Sequence, residues 1–215
     1  MKPILIIMAL MLIPTSSAWA DSCDNTLFKN SQGIQTATAK KKIYFQNDKG
    51  ALEKSHILKG DKVVIISQVS GKACAFFLTP KTDIWGWVEL KDLGPLRKLP
   101  TKLADWKGTF QDGLGSVIKL TPQMNGRVKA YGMAVWGDIK SSSAHDGEID
   151  DEGEIKDGVV DIGSPEANGI DCTVELRLLS RNVLLAQKKD RSTEASSCWG
   201  FNVSFNGFYY LKVKK

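Results

Sequence analysis

The chain has 215 residues, with 29 Lys and Arg against 24 Asp and Glu and a formal net charge of +5. A hydrophobic share of 42% beside 25% charged residues is that of an ordinary globular chain, so disorder is excluded as the default and one or two domains fit the length. Four cysteines without a Cys-x-x-Cys spacing, and only two histidines, His56 and His145, far apart in sequence, argue against a zinc site.

The first twenty residues carry an export pattern. Lys2 is followed by the apolar run Ile4 to Ile13, Pro14 breaks it, and Ala18-Trp19-Ala20 offers small residues at a cleavage site. About ten apolar residues are too few for a bilayer-spanning helix, which needs roughly 20. Residues 1–20 are therefore expected to be a signal peptide cut after Ala20. The mature chain is then expected to be periplasmic or secreted, with no integral membrane span. Cys23 follows Ala20-Asp21-Ser22, which does not suit lipid attachment.

In an oxidising compartment, Cys23, Cys74, Cys172 and Cys198 point to disulfides. Three pairings are possible. Cys23 with Cys74 and Cys172 with Cys198 is the favoured one, because each bond then lies within one module. Closing a loop of about 25 residues, as the second bond does, contributes roughly 3 kcal/mol.

Charge divides the chain. Between Asp21 and Ala104 the cations outnumber the carboxylates by six, whereas from Asp105 onward the carboxylates exceed the cations by two. A basic module in the envelope is attracted to anionic polymers, head groups or acidic proteins. The excess, with its Lys40-Lys41-Lys42 run, also serves simple solubility.

Residues 21–41 read as an N-terminal arm with few apolar side chains. From 42 to 96, runs of β-branched and aromatic residues recur at Lys42 to Gln46, Asp61 to Gln68, Ala73 to Thr79 and Ile84 to Leu90. Turn signals such as Asn47-Asp48-Lys49-Gly50 and Ser70-Gly71-Lys72 separate them. Short strands at this density make a small antiparallel barrel.

Two segments, His56-Ile57-Leu58-Lys59-Gly60-Asp61-Lys62-Val63-Val64-Ile65 and Trp85-Gly86-Trp87-Val88 with Asp92-Leu93, resemble the bacterial SH3-like (SH3b) domains. The resemblance implies a module that binds cell-wall peptides or docks onto proteins, with Tyr44, Trp85 and Trp87 as ligand-binding aromatics. Strand alternation puts Trp85 and Trp87 on one face and Ile84 and Val88 on the other. The tryptophans therefore either line an open groove or cover the barrel against its neighbour.

Gly94 to Lys102, with Pro95 and Pro100, marks a boundary. Beyond it, a C-terminal β domain over 103–215 is expected, with strands at Trp106 to Gln111, Ser116 to Thr121, Arg127 to Trp136, Gly158 to Ile162, Asp171 to Ser180, Val183 to Gln187 and Phe208 to Val213. Trp106-Lys107-Gly108-Thr109-Phe110 resembles the opening strand of lipocalin-like and avidin-like barrels. Cys198 to Tyr209 resembles the tail of secreted bacterial β modules of unknown function, some attached to domains related to lysozyme inhibitors; Trp199 stands where those usually have glycine. The carboxylates crowded between Asp146 and Asp157 do not fit an EF-hand register, so a solvated acidic hairpin or loop is expected there.

The expected fold is all-β: an N-terminal SH3-like small barrel followed by a second antiparallel β-barrel or sandwich. No Gly-x-Ser-x-Gly elbow, phosphate loop or His-Glu-x-x-His helix occurs, so neither an enzyme nor a cofactor or metal site is expected. The expected function is non-catalytic binding in the cell envelope, to peptidoglycan or an envelope protein, with no nucleic-acid partner. The alternative is an inhibitor or immunity-type protein acting on a wall-degrading enzyme.

Overall fold

The computed structural model describes residues 23, 33–79, 83–136, 145–163, 172–189, 199 and 203–212. The export pattern at 1–20 and Cys198 lie outside them. The described residues form two antiparallel β units and no α-helix.

The first unit is a sheet of β1 (Gln35–Thr38), β2 (Ile43–Gln46), β3 (Leu52–Ile57), β4 (Lys62–Val69), β5 (Lys72–Leu78), β6 (Asp83–Glu89) and β7 (Arg97–Lys98), ordered β3-β2-β6-β5-β4-β1-β7. Ser70-Gly71 joins β4 to β5 as a two-residue loop with positive φ at both positions, the turn whose twist matches that of paired strands. β1 comes from the segment read as an arm and β7 from the segment read as a boundary. Both pair through their backbones, β1 lying between β4 and β7.

The second unit comprises β8 (Gly108–Gln111), β9 (Val117–Pro122), β10 (Arg127–Trp136), β11 (His145–Lys156), β12 (Val159–Ile162), β13 (Val174–Ser180), β14 (Val183–Lys188) and β15 (Gly207–Leu211). Each strand pairs with the next, and β15 returns to β8 through Tyr210 opposite Gln111 and Leu211 opposite Phe110. The result is a closed eight-stranded up-and-down barrel. Of the two architectures expected for this domain, barrel and sandwich, the chain adopts the barrel. An eight-stranded interior is narrow enough for side chains to fill, and here Trp106, Phe110, Phe205 and Tyr209 are buried in it.

The acidic stretch, expected as a solvated hairpin or loop, is a hairpin strand: β11 pairs with β10 over ten residues in the barrel wall and turns at Asp157-Gly158 into β12. Its acidic residues Asp146, Glu148, Asp150, Glu152 and Glu154 alternate with Gly147, Ile149, Asp151, Gly153 and Ile155, so Asp151 alone breaks the pattern. Lys129 on β10 pairs with Asp150 at 3.0 Å. The glycines are required by close approach: a Cβ on Gly153 would stand 2.3 Å from the carbonyl oxygen of Asp161, and one on Gly147 2.4 Å from that of Trp199. Hydrophobic periodicity is therefore weak on the inner face.

β4 explains how the units join. Val63 and Ile65 fill the first unit's own core with Phe45, Ile57 and Val88, while Val64 and Ile66 face the other way. That second face forms a seam with the barrel wall, where Phe76 and Trp87 meet Leu179, Val183 and Leu185. Each large apolar side chain so buried contributes about 1.5–3 kcal/mol. β14 is buried along its whole length, because Leu184 and Ala186 point into the barrel while Val183 and Leu185 point into the seam.

Candidate functional site

At one edge of the seam lies a cleft of about 450 Å³ lined by Gln46, Asn47, Asp48, Glu53, Ser55, Asp83, Ile84, Trp85 and Gly86, with Cys23 beside them. β6 supplies its aromatic wall and the β2–β3 hairpin supplies the opposite one. Their closeness depends on Gly86, where a Cβ would sit 2.8 Å from the Gln46 carbonyl oxygen and φ is +154°. Gly86 in the Trp-Gly-Trp sequence thus lets β2 lie close against β6, its neighbour in the sheet.

The two tryptophans have different places. Trp85 is 48% exposed and stacks on Phe76, ring centroids 6.1 Å apart and planes 13° from parallel. Phe76 packs in turn against Phe208 of the barrel. Trp87 is 7% exposed and belongs to the seam. Its indole N–H donates to Asp48 Oδ1 at 2.9 Å, and the same oxygen accepts the backbone N–H of Cys23 at 3.1 Å. Cys23 is bonded to Cys74, which stands opposite Trp87 in the β5–β6 register, so the four residues close a ring. Tyr44 is 42% exposed, tilted against His56 with the Lys42 ammonium 4.8 Å from its ring centre, and does not line the cleft.

Among the described lining residues the cleft has three carboxylates, Asp48, Glu53 and Asp83, and no cation, while the Lys72 ammonium donates to the lining Gln46 at 2.8 Å. Glu53 accepts from Asn47 Nδ2 at 3.2 Å, and Asp83 accepts the hydroxyl of Tyr210 from the barrel strand β15. Burial, and then this bond to Asp83, raise the Tyr210 phenol well above its ordinary range. An electron-rich indole face among carboxylates suits an ammonium or guanidinium group. The acids were not singled out from the sequence, because Asn47-Asp48-Lys49-Gly50 reads only as a turn and Asp83 meets its partner 127 residues away.

The Cys23–Cys74 pairing is the expected one, and Cys172 is disulfide-bonded as well; its expected partner Cys198 lies outside the described residues. Among the described residues no His, Cys, Asp and Glu group of three or more could hold a metal ion, and no helix is long and apolar enough to cross a membrane.

No protein-family model, curated protein or solved structure matches this chain.

Proposed function

We propose that this is a non-catalytic binding protein of the cell envelope, an SH3-like module braced by a barrel, which holds peptidoglycan or an envelope protein at the Trp85 cleft. The observation that supports it is the half-exposed Trp85 indole, backed by Phe76, at the mouth of a cleft with three carboxylates. An aromatic already held in place loses little freedom on binding, and large aromatics anchor most binding surfaces. The carboxylates select a partner that presents amines, such as the free amino groups of wall stem peptides or the lysines of a protein. Trp87 supports the site from behind. Export through residues 1–20 to a periplasmic or secreted location belongs to the same reading, and the Cys23–Cys74 bond is compatible with an oxidising compartment.

Co-sedimentation with purified sacculi tests the proposal. The protein should be retained and Trp85→Ala should not. Equal retention of the two overturns the cleft assignment. If neither is retained, the wall is removed as the ligand, and crosslinking in cells from a photoreactive residue at position 85 should then capture an envelope protein. An empty crosslink overturns that version as well.

A further inference from the structure

A second cleft, of about 620 Å³, opens along the seam and has the opposite charge. Lys62, Arg97, Lys98 and Arg181 line it, and no carboxylate does. We infer that this cleft is a separate binding site for a phosphate-bearing anion.

The sheet register brings Lys62 and Arg97 together, whereas Lys98, paired with Gln35 and through it with Ile65, belongs to the other face of the sheet. Thr36 stands opposite both Val64 and Arg97, and Thr38 opposite Lys62. Cross-strand partners share a face and residues two apart share it too, so Lys62 and Arg97 lie on the face to which Val64 belongs, the one packed against the barrel. From the other side the turn between β13 and β14 brings Arg181, whose guanidinium is anchored to Asp105 at 3.0 Å. Among the described residues the side chains of Lys62, Arg97 and Lys98 have no ion pair or hydrogen bond.

Like charges gathered in one concavity repel one another and raise the local positive potential, which an incoming anion relieves. Guanidinium forks match phosphate oxygens two at a time. Thr36, Thr38, Ser180 and Asn182 add polar groups around them, and the partly buried Leu78 gives an apolar flank. Two uncompensated cations, Lys62 and Arg97, beside the Asp105-paired Arg181 suit a doubly charged phosphate ester better than a single carboxylate. Such a group is carried both by soluble phosphate esters and by anionic lipid head groups, and the chemistry of the cleft is common to the two.

The test uses the purified oxidised protein and the double variant Lys62→Gln/Arg97→Gln. Both residues are exposed, so the variant is expected to keep the fold, with circular dichroism as the check. Glycerol phosphate is titrated calorimetrically, and vesicles of phosphatidylglycerol are compared with vesicles of phosphatidylcholine by flotation. Binding should be weaker by roughly tenfold or more in the variant, as loss of charge-assisted hydrogen bonds requires, and should fall with added salt. Binding of glycerol phosphate identifies a soluble ester as sufficient, whereas binding only to the anionic vesicles identifies a lipid head group. Absence of both, or equal binding by the folded variant, overturns the inference.

Discussion

Replacing Trp87 by phenylalanine separates a supporting tryptophan from a contacting one. Phenylalanine keeps a ring in the seam but cannot donate to Asp48, so the 2.9 Å bond is lost. Hydrogen bonds to charged acceptors contribute about 1.5–3 kcal/mol, and the lower end applies because Asp48 is exposed and water can replace the donor. The smaller ring leaves a void beside Cys74 and Leu185 in the same cluster, adding about 1 kcal/mol. The sum is about 2–3 kcal/mol, or a melting temperature about 5–10 °C lower for a chain of this size. Thermal and urea unfolding followed by far-UV circular dichroism on the oxidised protein measures it. Below both midpoints Trp87→Phe should still bind as the parent does, while Trp85→Ala should lose binding and about 1 kcal/mol of stacking. An unchanged midpoint together with lost binding would refute this division of roles.

Removing the Cys23–Cys74 bond by Cys74→Ala, which releases a loop spanning 51 residues, should cost about 4 kcal/mol in a urea titration; parity with the oxidised parent contradicts this. Gly86→Ala should destabilise by more than about 1 kcal/mol, since its Cβ would strike the Gln46 carbonyl at a φ that side chains avoid. Above pH ~10 stability should fall, because Tyr209 and Tyr210 are held neutral, mainly by burial, while the unfolded chain ionises near the ordinary value of 10.0. The folded state then holds more protons than the unfolded one, so the contribution is complete below that pH and declines as pH rises. Tyrosinate absorbance from these two residues should appear only together with loss of the circular dichroism signal, and Tyr210→Phe should shallow the decline.

Much of the fold was legible because strands buried on at least one face carry dense β-branched and aromatic runs. Lys62–Val69, Arg127–Trp136 and Val183–Lys188 stand close to where composition puts them. β11 was obscured because its inner face uses glycine where other strands use valine or leucine, a choice imposed at Gly147 by the sequence-distant Trp199 and at Gly153 by Asp161 of the next strand. β3 was obscured because Ile57 is its one buried residue. Alternation assigned Trp85 and Trp87 to a common face correctly, but which part of that face stays wet depends on the barrel. Local pattern carries no record of Phe208 and Leu185 arriving there. The opposite charges of the two clefts were hidden for the same reason, since a net count over the module averages Asp48, Glu53 and Asp83 with the lysines on its other side.

β14 ties the two halves into one physical body. A strand with apolar residues on both sides can satisfy neither alone, so a barrel cut free near Pro100 would expose Val183 and Leu185 to water, and the released sheet would expose Phe76 and Trp87. Neither half can be traded into another protein without remaking the abandoned surface.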